Sequence, residues 1–136
     1  GKSNSGYTPL HYAAREGQLE CARLLLASGA DVNRATSAGS ATPLHRAAFM
    51  GHTEVVRLLL QGGAEAALKD ADGECALHKA AGRGMVAAAV VLFRACPAAA
   101  AFTDRKGATP AERAPDDATR AAAGHGNGHW DGHGGG

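Results

Sequence analysis

The stretch TPLHYAAREG at residues 8–17 decides the fold, because it returns as TPLHRAAFMG at 42–51 and as CALHKAAGRG at 75–84. A shortened copy, ATPAERA, stands at 108–114. The aligned positions Thr8, Thr42, Cys75 and Thr109 follow one another at intervals of 34, 33 and 34 residues. A fixed period of this length indicates a chain of repeated supersecondary units that stack on one another.

Each copy contains the signals of a helical pair. Thr8 and Thr42 stand where a helix N-cap is expected, and each is followed by proline, which favours the first helical position. Gly17 ends the first helix, and the apolar stretches LECARLLLASGA (19–30), TEVVRLLLQGGA (53–64) and VAAAVVLFRACP (86–97) predict a second. In the third copy Cys75 replaces the capping threonine, so we expect this repeat to begin less firmly.

A period near 33 that carries T-P-L-H-x-A resembles the ankyrin repeat family over about residues 4–114. The resemblance implies an all-α solenoid of stacked helix–turn–helix units joined by β-turn or hairpin loops, with three full repeats and a partial fourth. We place the units at about 4–36, 37–69, 70–103 and 104–114, followed by an alanine-, glycine- and histidine-rich low-complexity tail at 115–136. The resemblance also implies a non-enzymatic module that binds other proteins.

The three repeated histidines, His11, His45 and His78, raise the alternatives of a metal site and of repeated architecture. A histidine three residues after the cap can hydrogen-bond the threonine side chain and the nearby backbone, as the acid of a capping box does. Packed neighbouring helices place such residues on the order of 10 Å apart, too far for three imidazoles to share one metal ion. We therefore predict a structural role for all three.

Composition excludes several classes of function. The 136 residues include 14 basic and 13 acidic side chains, so the overall charge indicates neither a nucleic-acid partner nor a membrane surface. Three unpaired cysteines, Cys21, Cys75 and Cys96, favour a reducing compartment, the cytoplasm or the nucleus. No nucleophile–base pair, phosphate loop or second domain is evident, so we predict no enzymatic activity and no cofactor.

Binding in ankyrin-like stacks generally uses the loop tips before each cap and the exposed side of the first helix. A stripe of basic residues follows these positions, and an aromatic and methionine centre adjoins it, a composition typical of protein interfaces. We predict that this surface binds an acidic protein segment with an apolar anchor, within a larger assembly. Its residues are Tyr7, Tyr12, Arg15, Arg46, Phe49, Met50, Glu74, Lys79, Arg83, Arg105, Lys106 and Arg113.

Two alternatives concern the tail and the basic stripe. His125, His129 and His133 stand four residues apart, a spacing that binds zinc or nickel on a helix, but the abundant glycine disfavours a helix and favours a low-complexity extension. RNA binding would use the basic stripe with Trp130 and the tyrosines as stacking groups.

A further expectation concerns the first repeat. Its leading face has no polar capping repeat before it in this sequence, so we expect upstream residues or a partner to cover it.

Overall fold

A computed structural model describes residues 7–37 and 39–124 of the chain, and every regular element in them is helical. The helices are α1 (Pro9–Glu16), α2 (Leu19–Ala27), α3 (Pro43–Met50), α4 (Thr53–Gln61), α5 (Ala76–Gly82), α6 (Val86–Ala95), α7 (Pro110–Arg113) and α8 (Asp117–Ala122), with a 3₁₀ helix at Pro97–Ala101 between α6 and α7. None of these helices is long and apolar enough to cross a membrane. The all-α class predicted from the repeat is confirmed.

The helices stack in two layers. The first helices of the repeats, α1, α3, α5 and α7, pack in sequence order, and the second helices, α2, α4, α6 and α8, form the other layer. Alanine pairs allow the close approach within the first layer, since Ala14, Ala47, Ala48, Ala80 and Ala81 are fully buried. The leucines between the layers, Leu10, Leu44, Leu59, Leu77 and Leu92, are at most 1% exposed and form one continuous core.

The predicted start and stop signals are confirmed in the first two repeats. The Thr8 and Thr42 hydroxyl oxygens accept the backbone N–H groups of His11 and His45, and proline occupies the first helical position. Gly17 and Gly51 end α1 and α3 with φ of 73° and 77°. A Cβ at Gly17 would also lie 2.7 Å from the His52 ring, so both backbone conformation and space require glycine there.

The C-terminal end of the stack differs from the prediction of a low-complexity tail from residue 115. Pro115 follows the end of α7, but α8 begins two residues later and packs on α6 and α7. Asp116 begins α8, because its carboxylate accepts the Thr119 N–H at 2.8 Å. Thr119 and Ala123 are fully buried. The fourth repeat therefore has a second helix, and the folded stack extends to at least residue 124.

The leading face of the first repeat is open in the part of the chain that the structure describes. Leu24 on α2 is 66% exposed, whereas Leu58 at the equivalent position of the second repeat is half-buried against the core. An apolar cavity of about 480 Å³ lies on this face, lined by Pro9, Tyr12, Leu24 and Leu25 among others. Among residues 7–37 and 39–124, no segment covers this face of the first repeat.

Candidate functional site

The three repeated histidines join each repeat to the next. His11 Nδ1 lies 3.0 Å from the Thr8 backbone nitrogen, and its Nε2 lies 2.8 Å from the Ala41 carbonyl oxygen at the end of the following loop. His45 and His78 make the same pair of contacts in their repeats. Because both nitrogens of each ring are engaged, no lone pair remains for a metal ion. The structural role predicted for the histidines agrees with this geometry.

The contacts also decide the protonation state of these rings. The carbonyl oxygen can only accept, so Nε2 carries the proton, and Nδ1 accepts from the cap N–H. Burial lowers the pKa of His11 and of His45 below the ordinary value, and the backbone hydrogen bond only partly opposes this effect. His11 and His45 are therefore neutral at pH 7.

Two loop aspartates organise the surface beside the first helices. The Asp70 and Asp104 Oδ1 atoms each accept two backbone N–H groups of their own loop, at 2.9–3.0 Å. Their Oδ2 atoms bind a basic residue of the following helix: the Lys79 Nζ lies 2.8 Å from Asp70, and the Arg113 Nε lies 2.9 Å from Asp104. Lys79 also binds Glu74 at 2.9 Å. Two cations of the predicted basic stripe are thus neutralised within the chain.

The pKa values of these groups reflect the same contacts. The Ala108 N–H, with the Arg113 guanidinium, lowers the pKa of Asp104 to about 2. Burial alone would raise the pKa of Asp70, but the Lys79 ammonium and the loop N–H groups lower it overall. Sequence reasoning missed the part that Asp104 plays. The shared pattern of aspartate followed three residues later by glycine, in DADG (70–73) and DRKG (104–107), is a turn signal that could have indicated it.

At the N-terminal end of the first-helix layer the predicted tyrosines and arginines form one cluster. The Tyr7 ring stacks on His11 with ring centroids 5.1 Å apart, and Tyr12 lies edge-on to Tyr7 at 6.4 Å. The Arg15 guanidinium lies 4.8 Å from the Tyr12 ring and binds Glu16 at 2.9 Å. Tyr12 is 53% exposed and lines the apolar cavity on the leading face of the first repeat, so this cluster presents an aromatic surface at that end of the stack.

Further along the layer, Phe49 is half-buried and forms the wall of two small cavities. The Arg83 guanidinium covers its ring at 4.6 Å from the centroid. Met50, the other predicted apolar residue, is 40% exposed but does not line these cavities. The structure therefore brings Phe49 and Arg83 together, and places Met50 outside both cavities.

A continuous groove runs from Phe49 to the last loop tip. Cavities of about 260, 150 and 550 Å³ adjoin along it: Phe49 and Lys79 line the first two, and Glu74 and Arg113 line the last two. Arg105 and Lys106 stand exposed at the far end. We call this feature the concave groove. It unites eight of the predicted binding residues: Arg46, Phe49, Glu74, Lys79, Arg83, Arg105, Lys106 and Arg113.

Three carboxylates of one loop, Asp70, Asp72 and Glu74, bring oxygen atoms within 4.8 Å of one another. Two of them bind the Lys79 ammonium, and Asp70 also accepts two backbone N–H groups. These contacts explain the cluster as part of the loop structure. The histidines His125, His129 and His133, together with Trp130, lie outside the described residues.

Comparison with known proteins agrees with this geometry. Residues 10–60 match the family model of ankyrin repeats in many copies. This part of the chain is therefore similar to ankyrin repeats. A 34-residue segment, 25% of the chain, is 62% identical to ankyrin repeat domain-containing protein 13B of Mus musculus and equally to that of Homo sapiens. The segment spans only 5% of the length of either relative.

Ankyrin repeats generally serve as modules that bind other proteins and typically have no catalytic activity. In this helical stack the concave groove is formed by first helices and loop tips, the two parts that the family resemblance named. A second inter-repeat contact, which sequence reasoning missed, lies away from the groove: His52 Nε2 is 3.0 Å from the Arg15 carbonyl oxygen. It joins the second repeat to the end of α1.

Proposed function

We propose that this chain binds a segment of another protein in the concave groove, as one component of a larger assembly. The supporting observation is the line of adjoining cavities from Phe49 to Lys106, with a half-buried aromatic ring at one end and exposed cations at the other. A buried aromatic anchor beside arginine is the composition of interface hot spots. The groove supplies one such anchor.

The partner chemistry follows from which cations are already paired. Lys79 and Arg113 bind carboxylates of their own chain. Arg46, Arg83, Arg105 and Lys106 form no ion pair with another described residue. The segment would therefore present an apolar side chain to Phe49 and acidic groups to these four cations. The three ion pairs of Lys79 and Arg113 argue against the RNA-binding alternative, since they interrupt the positive surface that a nucleic acid would follow.

Several stretches of the sequence resemble one particular small protein with ankyrin repeats. The order LHYA, LHRA, LHKA, with GHTEVVRLLL at 51–60, Pro97 and TDRKG at 103–107, looks like the small ankyrin repeat domain-containing protein thirty-nine. The longer loop ATSAGSATPLH at 35–45 and the glycine-rich tail depart from that protein. This assignment remains a proposal of ours.

A displayed library of random peptides, selected on the purified chain, tests the proposed function. We expect the selected peptides to change the amide chemical shifts of the chain in α3, α5 and the last loop tip. Phe49→Ala should speed their dissociation and weaken binding by about 2 kcal/mol, the scale of a hot spot. Reversing Arg105 and Lys106 to glutamate should slow association, most strongly at low salt. Arg57→Ala, an exposed change on α4, is the control and should leave both rates unchanged.

A library that yields no binder would contradict the proposal. So would binders that contact α2, α4 and α6 and ignore Phe49→Ala, because the binding surface would then be the opposite layer.

A further inference from the structure

Arg46 differs from its two equivalents in the concave groove. Arg46, Lys79 and Arg113 each follow the residue before their helix cap by five positions. Lys79 binds Asp70 Oδ2 at 2.8 Å, and Arg113 binds Asp104 Oδ2 through Nε at 2.9 Å. Both equivalents thus have a carboxylate partner supplied by the preceding loop.

Thr36 occupies the loop position that aspartate holds in the other two repeats. Its backbone N–H donates to the Ala41 carbonyl at 2.9 Å, as Asp70 does to Glu74 at 2.9 Å. Its side-chain Oγ1 accepts the Ala41 N–H at 3.0 Å, as the Asp70 Oδ1 accepts that of Glu74. The threonine reproduces the contact that holds the loop together. It has no second oxygen to offer the cation.

The consequence is visible at the guanidinium. Among the described residues Arg46 forms no ion pair, and its Nε is buried without a hydrogen-bond partner. A buried donor left unmet is costly, and more so on a charged group. The arginine lines the cavity of about 260 Å³ whose wall includes Phe49. The Arg46 guanidinium also lies 5.9 Å from the Tyr7 ring centroid. The residue therefore borders a space that an incoming side chain can enter, and its charge has no carboxylate partner among the described residues.

We propose that Arg46 receives a single carboxylate side chain, aspartate or glutamate, of the bound protein segment. This carboxylate takes the place that Asp70 and Asp104 hold in the next two repeats. The inference rests on the proposed function and narrows it. Asp70 and Asp72 line the same cavity and would repel a second acid there. We therefore expect a single acidic residue next to the apolar residue on Phe49, with any further acidic residues only at the Arg105 and Lys106 end of the groove.

Thr36→Asp tests the inference, because it supplies the missing carboxylate from within the chain. Thr36→Asn is the matched control, since asparagine has the same shape and the same oxygen for the Ala41 N–H but no charge. In the protein without peptide, the Arg46 Nε–Hε resonance should shift in Thr36→Asp and stay in place in Thr36→Asn. Thermal melting of both variants shows whether each one folds.

The binding probes are the peptides selected on the wild-type chain. We expect one acidic position at a fixed spacing from an apolar residue. Thr36→Asp should weaken binding at least tenfold, and Thr36→Asn less than threefold. Replacing the peptide's acidic residue by its amide should weaken binding to the wild-type chain by a similar factor. The same replacement should weaken binding to Thr36→Asp hardly any further.

Peptides that bind the groove without an acidic position would overturn the inference while leaving the proposed function intact. Equal effects of Thr36→Asp and Thr36→Asn would do the same, as would an Arg46 resonance that does not respond to Thr36→Asp. A library without binders would contradict the proposed function, and this inference with it.

Discussion

His45 Nε2 lies 2.9 Å from the carbonyl oxygen of Glu74, which is 29 residues further along the chain. The same ring caps its own helix through Nδ1, 3.2 Å from the Thr42 backbone nitrogen. One side chain therefore begins α3 and attaches the next loop to it. The position one repeat earlier, His11, and the position one repeat later, His78, repeat the arrangement.

The first prediction follows from this double role. His45→Ala leaves the Glu74 carbonyl and the Thr42 N–H without their partner in a buried site, so the free energy of unfolding should fall by about 2–3 kcal/mol. Urea denaturation followed by circular dichroism measures the change. Arg57→Ala, on the exposed side of α4, should alter the free energy of unfolding by less than about 0.5 kcal/mol. Equal losses of stability in the two variants would contradict the role of His45 in joining the two repeats.

The second prediction concerns pH. The pKa values of His11 and His45 are lower in the folded chain than the ordinary 6.5, so the unfolded chain binds more protons just below pH 6.5. Stability is then fully present above about pH 6.5 and falls as the pH decreases toward the folded values, by up to about 1.4 kcal/mol per pH unit for each histidine. Denaturation midpoints between pH 8 and 5 measure this slope. His45→Gln should flatten it, and a slope unchanged by that substitution would contradict the assignment to His45.

The third prediction concerns the cap of α5. The Cys75 Sγ lies 3.3 Å from His78 Nδ1, whereas the Thr42 Oγ1 lies 2.8 Å from His45 Nδ1, and sulfur is the poorer hydrogen-bonding atom. Cys75→Thr, alone or with Ala76→Pro, should raise the free energy of unfolding by about 1 kcal/mol. Cys75→Val has the shape of threonine without its oxygen and should be less stable than Cys75→Thr. If valine stabilises equally, packing and not capping is the cause.

The fourth prediction tests the docking of α8. Ala123, the residue that follows α8, is fully buried, while Ala121 within α8 is exposed. Ala123→Asp buries an unpaired charge and should lower the free energy of unfolding by roughly 3 kcal/mol or more. Ala121→Asp, with the same chemical change on the same segment, should cost less than about 1 kcal/mol. Similar costs would mean that α8 contributes nothing to the stack.

Much of the local structure could be predicted from the sequence because its causes are local. A cap and its histidine are three residues apart, so TPLH at 8–11 and 42–45 predicts the beginning of each helix without reference to any other part of the chain. The repeat period then predicts the stack. Helix α8 was not predicted, because the alanine and glycine content of this segment indicated a low-complexity tail even though Asp116 can act as an N-cap. The helix forms where it buries Thr119 and Ala123.

The charge of the groove was decided by the tertiary structure. The sequence by itself determined that Arg46, Lys79 and Arg113 share one position on successive first helices, since all three stand at the same point of the repeat. Only folding brings Asp70 to Lys79 and Asp104 to Arg113, nine residues apart in each pair, while Thr36, at the corresponding loop position, supplies no carboxylate for Arg46. The physical reason is that a loop's backbone turn aims the second carboxylate oxygen at the helix that follows. A carboxylate can hold the turn and a cation together, whereas a hydroxyl can hold only the turn.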